Sequence, residues 1–167
     1  DRRGHREGPV GLMATFSAST RAEALVPHDR SRIWDVLVDP DLVARFTPFV
    51  RHIADRGEHW IWSMSGLEVL GVGVSPTFTE RMTLTEQERI EFKHDPGSGQ
   101  RERAGVNGWY ALAEADGGTR LETSLESCVS LPLPRLSTPA VTSAMKGVMA
   151  TMGDRFAKNL LDHLAHH

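Results

Sequence analysis

Three side chains in this sequence are of the types that move protons and sit where an interior could hold them: Glu80, His94 and Tyr110. Each lies in a stretch of two-residue alternation, on the phase that also carries the apolar residues. Phe78, Glu80, Met82 and Leu84 share one phase, Ile90, Phe92 and His94 a second, Tyr110 and Leu112 a third. A carboxyl turned inward by such a phase loses the water that stabilises its charge, so its pKa rises unless a cation such as His94 or Arg101 compensates. It can then act as a general acid or base, or anchor a ligand hydroxyl. Ordinary alternatives stand beside each reading. A bulge turns Glu80 to solvent, the Asp95-Pro96 turn leaves His94 solvated, and Tyr110 is a wall residue with its hydroxyl at a cavity.

Other chemistry is poorly represented. Gly71-Val72-Gly73 begins like a dinucleotide-binding loop, but Pro76 stands where its last glycine belongs and no helix opens there. There is no nucleophile elbow and no paired-histidine zinc motif, so neither metal nor cofactor is expected. Of eight histidines, His163, His166 and His167 cluster at the C-terminus, a spacing that suits an adventitious metal ion or a histidine tail. His5, His28, His52 and His59 read as isolated surface positions. The charged segment from Arg51 to Arg56 has no interleaved aromatic platform, and a net charge of -3 does not mark a nucleic-acid surface. No apolar run approaches the ~20 residues of a membrane span. Cys128, the only cysteine, falls on the outward phase of its strand and fits a reducing, cytoplasmic setting.

The elements that must position these side chains can be read in order. Residues 1–12 mix arginines and glycines without a signal-peptide core and precede Met13, so a disordered extension is expected, followed by one domain over 13–167. Phe16 to Val26 alternates as an opening strand. Asp29 caps a short helix carrying Ile33, Trp34, Val36 and Leu37, stopped by Asp39-Pro40, and a second short helix spans Asp41 to Thr47. Strands are then expected at Val50–Asp55, His59–Ser65, Phe78–Thr85, Arg89–His94, Gly105–Ala113 and Thr119–Leu131. Between Leu67 and Pro76 the pattern suggests a bulge or loop rather than a regular strand. Pro132 and Pro134 end pairing, and Thr138 caps a last helix with Pro139 in its first turn. Along that helix Val141, Met145, Val148, Met149, Met152, Phe156, Leu160 and Leu164 form one apolar stripe. Gly147 and Gly153 interrupt it, which points to close approach of another element or to bending, as a movable lid would require.

Strand, two short helices, a run of antiparallel strands and one long helix together resemble the SRPBCC superfamily. It includes START-like lipid carriers, birch-pollen-allergen-like proteins and polyketide cyclases. The residues that carry the likeness are Ile33-Trp34-Asp35-Val36-Leu37 with Asp39-Pro40, and Gly108-Trp109-Tyr110-Ala111-Leu112 with Gly117-Gly118-Thr119-Arg120-Leu121. The resemblance implies an α+β helix-grip fold: a curved antiparallel β-sheet wrapped around a long C-terminal α-helix, with two short helices after the first strand. It also implies an apolar cavity between sheet and helix, with chemistry that varies among members.

Projecting the strand phases into that cavity gives Trp60, Trp62, Met64, Phe78, Met82, Phe92, Tyr110, Leu112, Leu125 and Ser127 as candidate ligand-binding residues, with Met145, Met149, Met152 and Phe156 from the helix. Five of the six methionines fall on this surface, a soft wall that can adapt to irregular ligands. A solid core would use the same residues. The expectation is binding or transport of a hydrophobic small molecule such as a lipid, quinone or aromatic polyketide, by a monomer or homodimer. The alternative is an aromatase/cyclase-type enzyme in which Glu80, His94 and Tyr110 converge on one void.

Overall fold

The computed structural model describes residues 13–167. The expectation for residues 1–12 lies outside the described residues. Strand β1 (Ala14–Val26) leads into helices α1 (Arg30–Leu37) and α2 (Pro40–Phe46). The chain continues through β2 (Val50–Arg56), β3 (His59–Met64), β4 (Leu67–Val69), β5 (Val72–Val74), β6 (Thr77–Thr85), β7 (Arg89–His94), β8 (Ala104–Ala115) and β9 (Gly118–Leu131). A single 3-10 turn at Arg135–Ser137 opens helix α3 (Thr138–His166). Seven strands form one antiparallel sheet in the order β1-β9-β8-β7-β6-β3-β2.

Register decides which side chains share a face. Tyr110 pairs with Thr123 and with Ile90, Gly108 with Leu125 and Phe92, Val106 with Ser127, and Glu80 with Trp60 and His94. The alternation read in the sequence therefore places Trp60, Trp62, Phe78, Glu80, Met82, Ile90, Phe92, Tyr110, Leu112, Leu125 and Ser127 on one face. Phe92 can lie over β8 because its partner there is Gly108, where a Cβ would meet the ring at 2.9 Å. On the other face the Trp109 indole sits between the guanidinium groups of Arg21 and Arg89, 5.3 and 4.6 Å from the ring centroid.

Several local expectations change. The segment after Leu67 is a two-stranded hairpin, β4 paired with β5, closed by Leu70 and Gly71, both at positive φ. A leucine in that conformation carries no turn signal, so the hairpin was not legible. Thr138 is the first helical residue of α3 rather than its cap: Ser137 holds the cap position without a side-chain bond, and the Thr138 hydroxyl donates to the Arg135 carbonyl. Asp29 sits at the N-cap of α1 without a side-chain bond, whereas Asp39 caps α2 by accepting from the Asp41 and Leu42 backbone N–H groups. Gly147 and Gly153 have open space where a Cβ would be, so no close approach explains them.

Helix α3 has 29 residues, ~43 Å at the usual rise. Only its ends are fully buried. Val141 and Met145 pack with Ala14, Phe16, Ala18, Leu131 and Val69 of the small hairpin, while Leu160 and Leu164 pack with Ile33, Trp34, Leu37, Phe46, Ile90 and Leu112. Polar clamps reinforce the second end. Arg32 donates to the Leu164 carbonyl at 2.7 Å and Asn159 Nδ2 to the Phe46 carbonyl at 2.9 Å, so Arg32 satisfies a carbonyl that the helix C-terminus leaves free. Between the ends, Val148, Met149, Met152 and Phe156 are half-buried.

Candidate functional site

The inner face beneath the middle of α3 is only partly covered. Trp62, Met82, Tyr110, Leu121, Thr123, Leu125 and Ser127 from the sheet, and Met149, Met152 and Phe156 from the helix, all retain accessible surface although they point into the molecule. Tyr110 is the clearest case. It is partly buried and packs against the cluster that includes Ile90 and Phe92, and burial by surrounding protein is the main cause that pushes its hydroxyl pKa up, with the Glu80 charge adding to the effect.

The candidate lining residues divide on this criterion. Trp60, Met64, Phe78, Phe92, Leu112 and Met145 are buried, and Trp60, Phe92, Leu112 and Met145 belong to packed clusters, Trp60 against Val43 and Ile53 beneath α2. These six hold the walls. Trp62, Met82, Tyr110, Leu125, Ser127, Met149, Met152 and Phe156 keep some accessible surface, although Trp62, Met82, Tyr110, Leu125, Met149 and Phe156 also pack against the clusters. The sequence stripe could not separate Met145 from Met149, because both lie on one helix face and only the third dimension says which is at an anchored end.

Glu80 points inward and is 3 % exposed. No bulge turns it to solvent. Burial pushes its carboxyl pKa from 4.5 up to about 8, opposed by the Trp62 indole N–H. That N–H reaches toward the carboxyl but stops short of hydrogen-bond geometry, and Trp62 Nε1 is left buried without a partner. Trp62 itself is fixed by stacking on Phe78, ring centroids 5.8 Å apart. At neutral pH Glu80 is therefore mostly protonated, a carboxylic acid in an apolar wall.

His94 does not supply the compensating cation. Its Nε2 lies 2.9 Å from Glu102 Oε1, and the same carboxylate accepts from the Thr79 backbone N–H and hydroxyl, both at 2.8 Å. The imidazole rests on Gly105, where a Cβ would come within 2.4 Å of the ring. This pairing also removes the solvated-turn reading, because the His94 side chain is 25 % exposed and that of Glu102 only 10 %. Arg101 is exposed and offers no substitute. His59 is likewise not isolated: its Nε2 is 2.8 Å from Asp95 Oδ2, and together with Arg81 it holds the Asp95 carboxyl below its usual range. The three proton-moving candidates thus separate into Glu80 and Tyr110, which share the inner face with the Glu80 charge helping to raise the Tyr110 pKa, and His94, which is engaged by Glu102 from the loop that follows it.

Two open clefts lie elsewhere. One, of about 400 Å³, is lined by Asp29, Arg30, Ser31, Gln87, Glu114, Ala115 and Gly118; the other, of about 320 Å³, by Arg21, Ala22, Glu23 and Glu122. Both are rimmed by solvated charges, and neither includes Glu80 or Tyr110. The inner face is the better candidate because it combines partly accessible apolar walls with a buried carboxyl and a buried indole N–H. Among the described residues no cluster of three or more His, Cys, Asp or Glu side chains is placed to hold a metal ion, and no helix is long and apolar enough to cross a membrane.

No family model matches the chain, and no curated protein sequence does. Solved structures do match. A START superfamily protein from Mycobacterium smegmatis superposes with a TM-score of 0.61 at 16% identity, covering 89% of this chain and 97% of that one. The Zhui aromatase/cyclase of Streptomyces sp. R1128 gives 0.62 at 14% identity, with 89% and 94% covered. This chain has the START-like helix-grip fold. The di-domain aromatase/cyclase StfQ of the steffimycin biosynthetic pathway adds 0.64 at 12% identity over 90% of this chain and 51% of that one. Helix-grip architecture is shared at identities too low to carry residues or activity across, so the site has to be argued from its own geometry.

Proposed function

We propose that this helix-grip protein binds a hydrophobic small molecule, of the lipid, quinone or aromatic polyketide kind, between the sheet and the middle of α3. The observation that carries the reading is the split core. Packed clusters anchor both ends of α3, while the inward residues between them keep accessible surface. Burial of ligand area against Trp62, Met82, Leu125, Met149, Met152 and Phe156 would supply affinity at roughly 25 cal/mol per Å² before ordering costs. Methionines on the helix side of the site suit ligands of irregular outline.

A second reading is supported by one feature. Glu80, with a pKa of about 8, and Tyr110 are proton-carrying groups on one apolar wall, as an aromatase/cyclase-type reaction would use. Engagement of His94 by Glu102 leaves that reading without its third member. Binding is therefore the preferred function.

The test is Met149→Trp. The larger side chain should fill space beneath α3 and weaken uptake of an environment-sensitive fluorescent hydrophobe by about tenfold, while the urea midpoint stays near that of the native protein. Unchanged uptake at unchanged stability would remove Met149 from the site.

A further inference from the structure

The seven-stranded sheet ends in two edge strands that are protected differently, β1 and β2. β2 is interrupted by a register shift between Val50 and His52 and packs against α2 through Ile53 and Val43. An irregularity of that kind spoils an edge as a template for a further strand. β1 runs in unbroken register with β9 from Ala14 to Val26 and contains no proline. Its first half lies under α3, which packs on Ala14, Phe16 and Ala18. From Arg21 to Leu25 every residue is exposed, and among the described residues no strand pairs with the far side of β1. The Ser17 carbonyl lies 3.5 Å from the Thr142 hydroxyl of α3, on the side away from β9. Alternation along an antiparallel strand therefore turns the N–H and C=O groups of Ser19, Arg21, Glu23 and Leu25 to that free side, while those of Thr20, Ala22 and Ala24 face β9.

Charge is unbalanced along this edge. Glu23 stands directly opposite Glu122 in the β1–β9 register, a like-charge pairing that destabilises a sheet. The two carboxylates share the Arg120 guanidinium, whose Nε is 3.8 Å from each. The cleft of about 320 Å³ lined by Arg21, Ala22, Glu23 and Glu122 opens beside them. A second cation delivered at Glu23 would relieve the repulsion. Arg21 lies on the same outer face two residues earlier, 5.3 Å from the Trp109 ring centroid, so the edge carries one charge of each sign with a single small residue between them.

We infer that the exposed half of β1 is a self-association edge, on which a second copy of this chain adds its own β1 antiparallel about a two-fold axis through Ala22. In that register Arg21 faces Glu23 of the second copy and Glu23 faces its Arg21, at positions whose outward backbone groups can exchange hydrogen bonds. Ala22 meets Ala22 and Thr20 meets Ala24, so only small side chains cross on the inner face. Shifting the axis to Arg21 or to Glu23 sets Arg21 against Arg21 or Glu23 against Glu23, which like-charge repulsion disfavours. The charges thus select one register among those the backbone permits. An edge that runs only from Ser19 to Leu25 makes a small interface, so the dimer is reversible, with a Kd of about 100 µM at low salt.

Sedimentation of the full chain from about 10 µM to about 1 mM at low salt tests it, and should show a monomer–dimer equilibrium that weakens at about 0.5 M salt. Arg21→Glu and Glu23→Arg should each weaken association about tenfold or more, because each leaves the edge with charges of one sign. An equimolar mixture of the two variants should associate again at least as tightly as the native chain, since the acidic edge of one then faces the basic edge of the other. Independently of any variant, amide exchange at Arg21, Glu23 and Leu25 of the native protein should slow as concentration rises, while amides of β2 stay unchanged. A monomer at every concentration, a dimer that both variants leave intact, or variants that dissociate it and do not recover on mixing would overturn the inference.

Discussion

The two ends of α3 and its middle are built from the same residue types and meet opposite fates. At the ends Val141, Met145, Leu160 and Leu164 are 0 to 6 % exposed and sit in packed clusters. In the middle, Met149, Met152 and Phe156 continue the same stripe but remain half-buried, flanked by Gly147 and Gly153 with open space around them. The helix is clamped rather than laid flat. Hydrogen bonds follow the same division, with Arg32 and Asn159 tying the C-terminal part to α1 and α2. The fully buried contacts of α3 therefore sit at its ends, and under the proposed function its central span is the part that meets a ligand.

The largest expected effect lies beneath the central span. Glu80 has a folded pKa of about 8 against an ordinary 4.5, so the native state holds a proton that the unfolded chain releases. Its contribution is fully present below about pH 4.5 and is lost as pH rises toward 8, at about 1.4 kcal/mol per unit and about 5 kcal/mol in all. Urea unfolding across that range should show the loss in the native protein and its absence in Glu80→Gln. Parallel pH profiles would mean that the carboxyl is solvated and the interior beneath α3 is ordinary surface.

A smaller contrast probes the ends directly. Leu160→Ala removes a side chain 2 % exposed and should cost about 3 kcal/mol by denaturant titration. Met152→Ala, one of the half-buried central residues, should cost less than about 1 kcal/mol. Equal costs would erase the distinction on which the site rests. Hydrogen exchange should follow the same order, with amides from Lys146 to Gly153 exchanging before those around Leu160. Uniform strong protection along the helix would rule out a lid-like span.

Much of the frame was legible because it follows from period and punctuation. The alternation from Leu121 to Leu131, the stripe of α3 and the Asp39-Pro40 break each reflect local physics, and the register bears them out. Phase pointed Glu80 inward beside the alternative of a bulge, and its burial decides between them. What escaped the sequence was long-range partnership. Glu102 reaches His94 only because the loop folds back, and Arg32 meets the Leu164 carbonyl across 132 positions. Trp62 gave no sign that its N–H would be stranded. The β4–β5 hairpin depends on a leucine at positive φ that no composition rule would choose. Which methionines line space and which fill it is likewise a property of the assembled core.

The central claim is room for a guest beneath a helix held at its ends, and a crystal structure grown with a polycyclic aromatic hydrophobe such as fluorene addresses it most directly. The account predicts one bound molecule against Trp62, Met82, Tyr110, Met149 and Met152, with both ends of α3 in place. Those side chains interlocked with no space between them, or the ligand found only in the charged clefts near Arg30 or Arg21, would contradict it.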